Sequence, residues 1–327
     1  MFLQRRCLIQ WTPTPLVSIT INTSASLAND RFPINSYFQT AIWCLRLTIA
    51  AQCVGISGRY LFGSFETESS IYGLLFFEYG FPEITAQYID DFGVYGCLIA
   101  GVTILVNGVF ADLSKLSQSE KPAKLILAID FIALAFVAAW TLSMGIAHTI
   151  RGDLFAQFTL LEEAVRIATP AVLVVLLLGR KIGTGSLCRV VGTIVLLVAT
   201  STTFALHGYK AIELYAPFLD YLLLSQPFGL TLVTEQQTAE RLLGVIGWLD
   251  VGLAILLLVF RWQWIALYMA AWGLLTAFSR ITAGGMEAWP EVFIRAANAG
   301  APLTLFFLFR MNLLSGNTIK YRSDHFI

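Results

Sequence analysis

"RLLGVIGWLDVGLAILLLVF", residues 241–260, decides how this chain is read. It is apolar over the ~20 residues that a ~30 Å hydrocarbon layer requires of a helix. Yet Asp250 stands near its middle. A charge at mid-bilayer costs at least ~2.5–3.5 kcal/mol, so this carboxylate must face a bundle interior and meet a partner there. The rest of the chain agrees with a lipid solvent. Of 327 residues, 57% are hydrophobic and 13% charged, against roughly 25% charged in soluble domains. The mean hydropathy is +0.72. The fold class is therefore all-α, a polytopic membrane protein with the lipid bilayer as its first partner. The formal net charge is zero, which leaves no basic field for nucleic acid.

A scan at ~19 residues gives spans near 40–62, 92–110, 124–147, 159–179, 189–208, 242–260, 264–283 and 291–310. An even number places both termini on one side, and charge selects the side. One set of connections holds Arg5, Arg6, Arg31, Lys115, Lys121, Lys124, Arg180, Lys181, Arg189, Arg261, Arg310, Lys320 and Arg322. The opposite set holds Arg59, Arg151, Lys210, Arg241 and Arg280, with acids such as Glu66, Glu68, Glu78, Glu83, Asp90 and Asp91. The positive-inside rule then makes both termini cytoplasmic, in an inner or plasma membrane. The first residues have two arginines, a short apolar run and "SLA" before Asn29, as a signal peptide would. Pro13 and Pro15 interrupt that run, and cleavage would reverse the terminus, so residues 1–39 read as an uncleaved cytoplasmic arm. The "NTS" at Asn22 then has no meaning as a sequon.

The chain repeats itself. "VYGCLIAGVTILV" (94–106) matches "VIGWLDVGLAILL" (245–257), and "FVAAWTLSMGIAHTIRG" (136–152) lies over "YMAAWGLLTAFSRITAG" (268–284). The second register brings Pro170 onto Pro302. Each half has a long outer connection rich in aromatics and proline, "IYGLLFFEYGFPE" and "LYAPFLDYLLLSQPFGL", suited to helices lying at the headgroup level. The predicted organisation is a first four-helix repeat over 40–180, a linker over 181–188, a second repeat over 189–310 and a tail over 311–327. Four spans per unit make the repeats parallel, without the inversion common among transporters.

Arg46 and Arg189 open the first helix of each half, a Gly-rich second helix follows, and Trp140 and Trp272 mark the third. "EVFIRAANAGAP" forms the last closing helix. With these features each unit resembles the DoxX-like membrane family over residues 40–310. The resemblance implies a subunit associated with quinone-linked oxidation of small reduced substrates, and a membrane or periplasmic redox partner protein. Quinone is the cofactor it suggests. The paired cysteines of redox-active relatives are missing, which argues against thiol chemistry. Cys44, Cys53 and Cys97 read as small apolar residues within spans.

The polar residues gather in the second half. Glu291, Arg295, Asn298 and Pro302 share one helix face, the preceding helix ends in Arg280, and "LHGYK" brings His207 and Lys210 to the same outer level. With Asp250 and Asn298 deeper, these seven residues make the candidate ligand site, and Asp250 is expected to meet Arg295. The alternative is that such charges merely lock helices together, Glu291–Arg295 being an ordinary i,i+4 pair. Laid over Asp250 in the first half is Ile99, so the fold as such needs no acid there. Arg46 and Arg189 are expected to snorkel at the cytoplasmic boundary. Glu162 and Glu163 are expected to be neutralised by Arg166, Asp130 to reach Lys124 or Asn107, and both tryptophans to serve packing. "LGRKIGTGS" lacks the Walker spacing, and no metal site is expected from three histidines. Three functions follow: a subunit binding a quinone- or lipid-like molecule, an assembly subunit, or a small-solute transporter.

Overall fold

The computed structural model describes residues 23–62, 69–117, 120–152, 154–181, 183–231 and 233–323. Expectations placed on Arg5, Arg6, the Asn22 sequon, Glu66 and Glu68 lie outside the described residues. The chain folds into α-helices, and no strand occurs among the described residues. That outcome follows from the hydropathy: inside lipid only a helix or a closed barrel satisfies every backbone N–H and C=O.

In order the helices are α1 (Thr23–Phe62), α2 (Ser70–Gly73), α3 (Glu83–Ser117), α4 (Glu120–Arg151), α5 (Thr159–Glu162) and α6 (Ala164–Lys181). There follow α7 (Gly185–Ile212), α8 (Ala216–Leu224), α9 (Gln236–Phe260), α10 (Gln263–Gly284), α11 (Trp289–Ile294) and α12 (Ala296–Ser323). Ser69 caps α2 by accepting the N–H of Ile71, and a π-turn over Leu74–Glu78 continues it. Both aromatic connections thus hold short helices, α2 and α8. Between α9 and α10, Arg261 adopts a left-handed conformation (φ 48°), so the chain reverses within two residues.

Six helices are long and apolar enough to cross a bilayer. They are Ser36–Leu61, Glu83–Leu113, Lys124–Arg151, Gly185–Ile212, Gln236–Phe260 and Gln263–Gly284. A seventh arises if α11 and α12, bent by 43° at Arg295, form one span. Helix α6, the expected fourth span, is not among them: its 18 residues carry Arg166, Arg180 and Lys181. Its geometry nevertheless parallels that of α12. Glu163 separates α5 from α6 at φ −91°, ψ 8°, and Arg295 separates α11 from α12 at φ −90°, ψ 9°. Val165, Thr169, Val172 and Leu176 are buried in α6, and so are Ala297, Ala301, Thr304 and Leu308, which the Pro170–Pro302 register lays over them.

Helix α1 lies at the centre, 72% of its span being enclosed, against 33% for α9 and α10. It packs on α3 and α12, while α7 packs on α6 and α9. Small residues permit the closest approaches. A Cβ on Gly300 would stand 1.8 Å from Thr48 Oγ1, and one on Gly208 would stand 2.6 Å from the carbonyl of Gly247.

Several sequence expectations are corrected here. Arg46 does not snorkel: it is 3% exposed and ion-paired with Asp130. Its Nη1 also donates to Asp130 Oδ1 at 3.3 Å and to the carbonyl of Ile104. Asn107 donates to Asp130 at 3.1 Å, as expected, whereas Lys124 is exposed and takes no part. Arg189, half-buried, lies against the Phe38 ring and Met311 Sδ. Glu163 pairs with Arg166 at 2.7 Å, but Glu162 turns away to α7. Ile99 is 67% exposed where Asp250 is 6%, so those two positions face different ways. Burial instead lays Cys97, Ala100 and Ile104 over Asp250, Leu253 and Leu257, two residues off the sequence match.

Candidate functional site

Two adjoining cavities hold the expected site residues. The first, about 310 Å³, lies between α9 and α10 beneath α8. His207, Asp250, Arg280, Arg295 and Asn298 line it. The second, about 550 Å³, lies between the two halves of the chain, and Lys210 and Glu291 join His207, Arg280 and Arg295 in its wall. All seven residues therefore line one cavity or the other, and three form the partition between them. The cavities differ in character. The first is walled largely by aliphatic and aromatic groups such as Leu243, Ile246, Leu275 and Phe278, the second by charges.

The first cavity exists because α9 and α10 meet at few points. In the first half of the chain the α3–α4 seam is filled by aromatics. Phe136 lies against Gly96 and Trp140 against Gly93, whose added Cβ would stand 1.9 Å from the indole. Phe92 and Phe136 meet edge-on at 5.7 Å. In the second half Trp272 instead bridges the gap by hydrogen bonding: its Nε1 donates to Asp250 Oδ1 at 2.7 Å. Leu275 and Phe278 line the cavity yet remain 60% and 47% exposed, so its mouth opens sideways through the bundle wall.

Asp250 thus points inward as its cost in lipid demands, but its partner is Trp272, not Arg295. Arg295 is taken by Glu291 on the preceding turn, and Glu291 also binds Arg59 of α1 at 3.1 Å. The physical reason is the break at Arg295. It leaves the guanidinium within reach of the side chain and carbonyl of Glu291 instead of extending toward α9. Trp272 is consequently more than packing. Trp140, its counterpart, is buried with Nε1 unpartnered.

Around the second cavity Glu162, Glu163 and Glu291 each hold a cation. Glu162 of α5 binds Lys210 and lies 3.3 Å from His207 Nε2. The other ring nitrogen of His207, Nδ1, donates to the carbonyl of Thr203 at 2.8 Å, since a carbonyl can only accept. Glu163 holds Arg166, and Glu291 holds Arg295 and Arg59. Arg280 is the exception. It is 7% exposed and has no carboxylate within ion-pair distance among the described residues. Its Nη1 donates to the Thr276 carbonyl and Ser279 Oγ, its Nε is unpartnered, and its Cζ lies 4.0 Å from the centroid of the Tyr221 ring. Tyr221 belongs to α8, which is tied to the end of α10 by Ser225 and by the Gln226 N–H, bonded at 2.8 Å to the Thr282 carbonyl.

Sequence reasoning missed Tyr221 and the contribution of the first half: Glu162, Glu163, Arg166, Arg59 and His148 all line the second cavity. It also undervalued Trp272. One signal was available, because Trp272, Thr276 and Arg280 recur at four-residue spacing and so share a face. Among the described residues no cluster of His, Cys, Asp or Glu could hold a metal ion. No family model, curated protein or solved structure matches the chain.

Proposed function

We propose that the chain is an eight-span membrane protein of two parallel four-helix units with both termini cytoplasmic. Its second unit binds a quinone- or lipid-like amphiphile. The apolar body enters the cavity between α9 and α10, and the oxygen-bearing head meets Arg280, with Arg295 and His207 beside it. Asp250 and Trp272 close the far end. The observation that carries this reading is the junction itself: an apolar, side-opening cavity ends on a buried guanidinium with donors to spare. Cavities of ~300–1,000 Å³ with few placed polar groups are typical of small-molecule sites. The like helix breaks at Glu163 and Arg295 and the matched burial of α6 and α12 support the duplication and the eighth span. As a DoxX-like subunit the chain would serve a redox partner. Ligand identity aside, the polar groups are placed to bind and polarise oxygen atoms.

The test is native mass spectrometry of the chain in lipid nanodiscs. A bound amphiphile is expected in the wild type and lost in Ile246→Trp, which fills the cavity. Retention by that variant refutes the assignment. A second reading has its own observation: the pairs Glu162–Lys210 and Arg59–Glu291 join α5 to α7 and α1 to α11. On that reading the chain is an assembly subunit and its charges are internal ties. Loss of co-purifying proteins in Glu162→Gln, with no bound amphiphile in the wild type, would favour it. For a transporter, uptake into proteoliposomes abolished by Asp250→Asn would be required.

A further inference from the structure

We infer that the occupant of this site carries an anionic head, a carboxylate or a phosphodiester, seated on Arg280. The inference rests on the amphiphile reading above and narrows its ligand class. Arginine cannot shed its proton to escape burial, and a buried charge without a counter-charge is costly. The other four Lys and Arg side chains lining the cavities each reach a carboxylate: Lys210 has Glu162, Arg166 has Glu163, and Arg59 and Arg295 share Glu291. Asp250 lines the same cavity but is bonded to Trp272 and makes no ion pair with Arg280. One guanidinium is therefore unmatched, with Nε offered and one face stacked on Tyr221.

A neutral head would leave that charge uncompensated. A head that bears negative charge supplies the missing counter-charge. Bidentate capture of a planar carboxylate or of two phosphate oxygens also suits a guanidinium. The apolar cavity on the same wall requires that the anion have an apolar body, which sets it apart from an inorganic ion.

The test uses the full chain in nanodiscs and three probes read by fluorescence above empty nanodiscs: 11-(dansylamino)undecanoic acid, its methyl ester, and decylubiquinone as a quenching competitor. The acid is expected to bind saturably and at least about tenfold tighter than the ester, the scale of one lost hydrogen-bonded charge contact. In Arg280→Gln that preference should vanish, and Arg280→Lys should keep part of it. Displacement of the acid by oleate or by lysophosphatidylglycerol identifies which carrier of the charge the site takes, and either supports the inference. Equal binding of acid and ester overturns it while leaving the amphiphile reading intact, as does strong displacement by decylubiquinone alone. Saturable binding of none of the three overturns the reading on which it rests.

Discussion

Replacing Asp130 by asparagine should destabilise the bundle more than any other single polar substitution in the first half. The side chains of Arg46 and Asp130 are 3% and 2% exposed, so neither has water as a fallback. Removing one partner of such a pair typically costs ~3–5 kcal/mol, whereas exchanging both for apolar residues is near neutral. The two single variants should also differ. Asp130→Asn strands a guanidinium that stays charged. Arg46→Met strands a carboxyl that can take up a proton and keep Asn107. At the ~2–4 °C per kcal/mol of mid-sized soluble domains, Asp130→Asn should lower the melting temperature by roughly 6–20 °C. Arg46→Met should fall less, and Arg46→Met with Asp130→Leu should return close to wild type. Melting followed by size-exclusion chromatography in mild detergent reads all four proteins. If Asp130→Asn melts with the wild type, or if the double variant falls by the sum of the singles, the pair does not act as an isolated buried unit.

Three further outcomes are expected. Asp250→Asn keeps an acceptor for Trp272 Nε1 and should melt near wild type, whereas Asp250→Leu strands that donor and should lose ~1–3 kcal/mol; equal melting of the two would contradict the bond. Gly300→Ala drives a methyl into Thr48 and should lower stability, with partial recovery when Thr48→Ala is added; an unchanged melt would place α1 and α12 further apart. Cysteines introduced at Ser186 and Glu213, the two ends of α7, should react with an impermeant maleimide from opposite sides of a sealed vesicle, Ser186 from the cytoplasmic side. Labelling of both from one side removes α7 as a span.

Much of this architecture was legible because lipid imposes a one-dimensional rule: runs of twenty apolar residues must become helices. The burial of Asp250 followed from the same rule. What the sequence could not disclose was the partner. Asp250, Arg295 and Trp272 are far apart along the chain, and only the break at Arg295 decides that Glu291 takes the guanidinium. Arg46 was misread for a similar reason, since a helix-opening arginine and a buried one look alike until Asp130 of α4 is placed beside it. The seam between α9 and α10 was equally hidden. Whether an aromatic fills a gap or a cavity remains depends on glycines facing it across two helices, and the shift of two residues between the matched segments concealed that facing.

The pairing of α1 with α12, and of α6 with α7, bears on how the protein is made. When α1 leaves the ribosome, the neighbour that covers much of its surface will not exist until nearly the whole chain has been translated. Its arginine can find an acid once α4 arrives, but the face where Thr48 meets Gly300 must wait. Each half lends its closing helix to the other, like two hands clasped, so cutting the chain between Lys181 and Gly185 yields two fragments that should each need the other to mature.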